Sequence, residues 1–222
     1  MTTPTVLVHR DPDELAAAVA ARFITRLTDV QAAQGSASVV LTGGGIVVSS
    51  YAAVLASPAH GAVDWRALDV WFGDERFLPS GDPERNETQV RQALLDSVPV
   101  DPGRVHAMAP SDDPDGNDPE AAAARYADEL RSAARPEDHG ATPQFDLVIL
   151  GVGPDGHIAS LFPDKPALYE SERSVVAVRG SPKPPPVRLS LTMPSIQAAK
   201  DVWLVVAGED KAGAVALALS GA

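Results

Sequence analysis

Short apolar runs alternate with longer alanine-rich stretches along almost the whole chain, and this alternation limits the possible architectures more tightly than any other feature. Thr5 to Val8 reads as a β-branched strand, and Asp11-Pro12 then offers an N-cap with proline at the first helical position, opening a helix from Glu14 to about Val30. Ser38 to Leu41 reads as the next strand with Ile46 to Ala56 as its helix, and Leu68 to Phe72 as a third strand with Pro83 to Leu95 as a third helix. A short apolar piece at Val105 precedes Pro119 to Ala134, which is helical by composition. Phe145 to Leu150, bounded by Pro143 and Gly151, is the clearest strand. Val175 to Val178, Val187 to Leu191 and Val202 to Val206 follow, and a helix from Glu209 to about Leu219 closes the series. Such regular alternation predicts βαβ units, hence an α/β fold with a Rossmann-like, mostly parallel sheet flanked by helices on both faces. No internal repeat is visible, and residues 1–222 are expected to form one domain.

Composition narrows the function. At 45% hydrophobic residues, 222 residues can build a substantial core. Cysteine is absent, which excludes disulfides and thiolate metal sites. Eighteen Lys and Arg stand against 30 Asp and Glu, a net charge of -12, so no nucleic-acid partner is expected, because such partners are held by many basic residues on phosphates. A single small anion remains compatible, since local cations in an enclosed site outweigh distant charge. Met1 to His9 is too short and polar for a signal peptide. Residues 30–63 carry no Asp, Glu, Lys or Arg, but glycines, serines and Pro58 interrupt them, so no membrane span is expected and the balance fits a cytoplasmic protein. Pro110 to Pro119 resembles a calcium loop at Asp113, Asp115 and Gly116. Ser111 and Ala122 occupy its first and twelfth ligand positions, so a solvated connector is expected instead.

In an open parallel sheet, ligands bind beyond the carboxyl ends of the strands. Four segments there carry unusual chemistry. Thr42 is followed by Gly43, Gly44 and Gly45, one glycine run longer than a tight turn needs, and the free N–H groups beside a helix N-terminus suit an anion. After the third strand come Asp74, Glu75 and Arg76, with Arg76 able to fork onto a phosphate or carboxylate and an acidic neighbour to hold it. Gly151 to His157 fits both the dinucleotide fingerprint, with Glu170 near its acidic position, and the spacing of a P-loop. Only Ile158 to Phe162 remains before Pro163 for a helix, and His157-Ile158 stands where the P-loop needs Lys-Ser/Thr, so neither reading holds. What is left is a glycine-framed histidine with Asp155 two residues before it, suited to a general base near neutral pH. Finally, Lys211 sits in the first turn of the last helix, where its charge opposes the helix dipole unless an anion lies between, and Arg188 follows the proline-rich stretch Ser181 to Pro186.

Together the strings T-G-G-G, W-F-G-D-E-R, F-D-L-V-I-L-G-V-G-P-D-G-H-I-A-S-L-F-P, K-P-P-P-V-R-L-S-L-T and G-E-D-K resemble the 6-phosphogluconolactonase family, within the group that includes glucosamine-6-phosphate deaminases. The resemblance implies hydrolysis of 6-phospho-D-glucono-1,5-lactone in the oxidative pentose phosphate pathway, without metal or cofactor, by a monomer or small homo-oligomer. It implies His157 as the base that deprotonates water and Asp155 as its support. Thr42, Gly43, Gly44, Gly45, Asp74, Arg76 and Lys211 would line the substrate and its phosphate, and Arg188 would lie at the substrate's other end or on the phosphate. Relatives often have Ser or Thr where this chain has Ile46 and Ile158, of which the first implies fewer hydroxyl contacts to phosphate, and they commonly continue to a closing strand. A deaminase is the nearest alternative; it typically has an aromatic residue where Arg76 stands. A phosphosugar-sensing domain would be expected beside a helix-turn-helix, and no spare basic segment provides one.

Overall fold

The computed structural model describes residues 4–113, 117–138, 140 and 142–220. Helix α1 (Pro12–Gln34) opens on Asp11, whose carboxylate accepts the Glu14 amide at 2.8 Å, and ends at Gly35 in the left-handed region. Its buried residues, Ala16, Val19, Ala20, Phe23, Ile24, Leu27 and Val30, recur three and four apart and form one apolar stripe. Strand β1 (Ala37–Leu41) leads into helix α2 (Gly45–Ala56), and β2 (Leu68–Phe72) runs beside β1. After β2 come β3 (Asp74–Arg76), α3 (Asn86–Ala93), β4 (Val105–His106), α4 (Pro119–Ala133) and β5 (Leu147–Gly151). The chain then forms β6 (Val175–Val178), β7 (Arg188–Leu191), α5 (Met193–Gln197), β8 (Val202–Val205) and α6 (Ala212–Ser220).

Five strands make a parallel sheet in the order β4-β2-β1-β5-β8. Their interior is nearly continuous Val, Leu, Ile and Phe, as a sheet covered on both faces requires. Val39, Val40, Leu41, Val70, Phe72, Val148, Ile149 and Leu150 are fully buried and belong to one apolar cluster.

The structure departs from the simple alternation in three places. Strands β3, β7 and β6 pair antiparallel in a second, three-stranded sheet, which shares the main core through Val175, Leu189 and Leu191. Periodicity cannot separate a covered antiparallel strand from a parallel one, and Asp74 to Arg76 is too short and charged to read as a strand at all. Thr5 to Val8 forms no strand: it lies exposed, with Val8 at 89%, and pairs with no strand among the described residues. The third helix is three residues shorter at its start than Pro83, because Glu75 captures the amides of Asn86 and Glu87 and sets the helix end there.

At the far edge, β8 pairs only with β5 among the described residues, and its Val202 and Leu204 are 39% and 53% exposed. Helix α6 is Ala- and Leu-rich yet buries none of its described side chains, leaving Leu217 and Leu219 in solvent. No helix among the described residues is long and apolar enough to cross a membrane. Asp115 and Gly116 of the calcium-like stretch lie outside the described residues; Asp113 pairs with Arg125 at 3.1 Å.

Candidate active site

A cleft of about 480 Å³ opens beyond the carboxyl ends of β1, β5 and β8 and is walled on its other side by β3 and β7. This is the position and size expected of a small-molecule site in an open α/β sheet. Thr42, Gly43, Gly44, Gly45, Asp74, Arg76, His157, Arg188 and Lys211 all line it. Asp155 stands behind the wall, against His157.

The glycine run has two different origins. A Cβ on Gly43 would stand 2.4 Å from Asn86 Oδ1 and 2.6 Å from Gln89 Oε1, so α3 packs directly on its backbone. Gly44 has a φ of 96°, in the region that favours glycine, and its amide donates to Gln89 Oε1 at 3.0 Å. Gly43 therefore answers to packing and Gly44 to its backbone conformation. Helix α2 begins at the third with no side-chain cap, so its first amides face the cleft with the positive end of the helix dipole.

Asp74 and Glu75 serve partners other than the Arg76 guanidinium. Asp74 is 4% exposed and accepts from Thr42 Oγ1 at 2.9 Å, Asn86 Nδ2 at 2.9 Å and Ser160 Oγ at 2.7 Å. It thereby joins the glycine turn, α3 and the turn that follows His157. Glu75 is fully buried; it accepts the backbone amides of Arg76, Asn86 and Glu87 and lies 3.4 Å from the Arg85 guanidinium. Arg76 donates instead to the Glu84 carbonyl at 2.6 Å. The antiparallel register sets Arg76 directly opposite Arg188. Like charges facing each other across strands repel, a local penalty that an anion in the cleft relieves.

The histidine turn is closed on itself. The Gly153 amide donates to the His157 carbonyl at 2.8 Å and the Gly156 amide to the Gly153 carbonyl at 2.9 Å. This folds the imidazole back over Gly153, where an added Cβ would lie 2.1 Å from the ring. His157 Nδ1 is 2.5 Å from Asp155 Oδ1, so the carboxylate holds the proton on Nδ1 and leaves Nε2 as the basic nitrogen. Burial holds the imidazole pKa below its ordinary value, helped by Lys183 and opposed by Asp155 and Asp74. The Phe162 ring lies 4.4 Å from the imidazole and also carries the Arg188 guanidinium, 5.6 Å from its centroid.

Arg188 also donates to the carbonyls of Lys183, Pro184 and Pro185 at 3.3, 2.9 and 3.2 Å, fastening the proline-rich stretch to β7. Lys211 lies in the turn Glu209–Lys211, ahead of α6, with its ammonium 3.1 Å from the Asp210 carboxylate. Ala159 has a left-handed φ of 49°, a conformation that costs about 1 kcal/mol and is held by Ser160, whose hydroxyl reaches Asp74 and whose amide reaches Ser190. Ser160, Asn86, Gln89, Phe162 and Lys183 are the contributors that sequence reading assigned no role. Ser160 and Phe162 lie in the very string that carried the resemblance, but the partners of Ser160, Asp74 and Ser190, are remote in sequence. Among the described residues no three His, Asp or Glu side chains gather as metal ligands would.

Residues 10–222 match the family described as glucosamine-6-phosphate isomerases/6-phosphogluconolactonase. The chain is 64% identical over 220 residues to a 6-phosphogluconolactonase of Streptomyces coelicolor, covering 99% of this chain and 84% of that one. It is 46% identical over 217 residues to a 6-phosphogluconolactonase of Mycobacterium tuberculosis, with 97% and 85% covered. A solved structure of 6-phosphogluconolactonase from Leishmania guyanensis superposes with a TM-score of 0.81 at 30% identity, covering 100% of this chain and 88% of that one.

Proposed function

Because the chain belongs to the glucosamine-6-phosphate isomerase/6-phosphogluconolactonase family, we propose that it hydrolyses 6-phospho-D-glucono-1,5-lactone to 6-phospho-D-gluconate, in the oxidative pentose phosphate pathway, with His157 as the general base. The observation that carries this reading is one cleft with a carboxylate-held imidazole, its pKa lowered by burial, on one wall and three cationic side chains on the others.

The chemistry follows from those groups. His157 Nε2 takes a proton from water as the water oxygen bonds to the lactone carbonyl carbon. The carbonyl electrons move to oxygen, and on their return the bond to the ring oxygen breaks, that oxygen receiving the proton from the imidazolium. Asp155 keeps the imidazole in the required tautomer and stabilises its cationic form during the step. The phosphate sits away from the reacting carbon, so its contacts position the ring without taking part in bond changes. Arg76, Lys211 and the uncapped amides of α2 from Gly45 onward would hold it, beside Thr42, Gly43 and Gly44. Asp74 acts on this reading by fixing Thr42, and Arg188 by facing the substrate from β7. No Ser or Cys nucleophile is needed.

A coupled assay with freshly generated lactone tests the proposal, because spontaneous hydrolysis hides a slow enzyme. The protein is expected to exceed that background clearly, and His157→Ala to lose about 10²- to 10⁴-fold in kcat while keeping its circular dichroism. Full activity in the variant would remove His157 as base. Turnover of glucosamine 6-phosphate with none of the lactone would assign the cleft to the deaminases instead.

A further inference from the structure

An aspartate beside a catalytic imidazole has two effects that oppose each other. It fixes the tautomer, but its charge also favours the protonated ring, and a protonated ring cannot act as a base. A second cation on the same carboxylate would keep the first effect and weaken the second.

Such a cation is present. Lys183 Nζ lies 3.4 Å from Asp155 Oδ1, the same oxygen that His157 Nδ1 meets at 2.5 Å. Lys183 is not part of the cleft wall. Its placement is nevertheless built in several steps. The Ser181 hydroxyl donates to the Lys183 carbonyl at 2.8 Å and accepts the Lys183 amide at 3.2 Å, while the Ser181 amide donates to the Pro186 carbonyl at 3.0 Å. Pro182, Pro184, Pro185 and Pro186 restrict the backbone around it. Arg188 then ties the carbonyls of residues 183 to 185 to β7, and its guanidinium lies over the Phe162 ring that packs on His157. The loop and the imidazole are thus referenced to one strand.

We infer that Lys183 is a positioning residue for the reaction: delivered by the proline-rich loop, it shares the Asp155 carboxylate with His157 and keeps the imidazole unprotonated at neutral pH. The charged groups around the ring are Asp155 and Asp74, which favour its protonation, and Lys183, which opposes it; Arg76, Arg188 and Lys211 line the same cleft. Against burial, the hydrogen bond and charge of His157 hold the Asp155 carboxyl below its ordinary range, and the Lys183 ammonium adds a smaller push in the same direction. At neutral pH the dyad then carries a neutral ring beside a carboxylate already balanced by Lys183.

The inference rests on His157 being the base, so the test reads the ring separately from the reaction. The imidazole proton signal of His157 is titrated by NMR in the full chain, its Lys183→Met variant and its Lys183→Arg variant, and lactone hydrolysis is measured over the same pH range. In Lys183→Met the His157 titration moves to higher pH and the acid limb of kcat/KM moves with it. The rate at alkaline pH, where the ring is unprotonated in every variant, stays within about twofold. Lys183→Arg, which keeps the charge, restores the unsubstituted titration. A His157 titration that does not move in Lys183→Met overturns the inference, as does a fall in the alkaline rate with the acid limb in place, which marks a purely structural loop. A titration that moves while the acid limb stays supports the Lys183 coupling and removes His157 as the base.

Discussion

Gly153 shows most directly how closely the reacting group is confined. The imidazole occupies the space its side chain would take, so Gly153→Ala displaces the ring or opens the turn that carries it. A displacement of about 1 Å at a catalytic group reduces turnover on the order of 10²-fold, so the variant is expected to fold, to bind inorganic phosphate as before and to hydrolyse lactone about a hundredfold more slowly. Turnover near that of the unsubstituted protein would mean that the base sits elsewhere. The His157–Asp155 contact was legible in sequence because both residues share one short turn. Asp74 was legible only as a charge near the site. Its actual work depends on Ser160, 86 residues away, and on Asn86, and no local spacing announces a partnership across that distance. Arg76 lines the cleft, but the acidic neighbour expected to hold it does not do so: Asp74 and Glu75 turn to other donors, and a backbone carbonyl takes the guanidinium.

Among the elements, the parallel strands and their helices were readable from period alone, because burial on both faces leaves near-continuous apolar runs. The second sheet was not, since β6 and β7 show similar runs and only tertiary pairing makes them antiparallel. Strand β4 provides a prediction of its own. His106 stacks on Trp71 with ring centroids 3.8 Å apart, and its nitrogens lie 2.6 Å from Glu129 of α4 and 3.7 Å from Asp69 of β2. Burial lowers the pKa of this imidazole, but Asp69 and Glu129 outweigh it and raise the pKa to about 9. The folded protein therefore holds a proton that the unfolded chain has released above its ordinary imidazole value near 6.5. This contribution to stability is complete below about pH 6.5 and is lost as pH rises through about 9. Urea unfolding across that window should show stability falling more steeply in the unsubstituted protein than in His106→Asn. Parallel curves would show that the ion pairs joining β4 to α4 do not titrate there.

At the scale of the whole molecule, a net charge of -12 coexists with a cleft lined by Arg76, Arg188 and Lys211. The acidic balance describes the outer surface, and an anionic substrate is to be held by short-range contacts rather than drawn in from afar. The edge formed by β8 has a different consequence, one for colloidal behaviour. Among the described residues β8 is paired on one side only, and a strand with an open side that carries the exposed Val202 and Leu204 is a template on which another chain can extend the sheet. Concentrated solutions of these 222 residues are expected to scatter light increasingly with time, and Leu204→Lys to slow that growth several-fold without changing lactone turnover, since like-charged edges repel. Equal growth in both proteins would place the sticky surface elsewhere. The working lifetime of the preparation would then be governed at a rim that the hydrolysed bond never approaches.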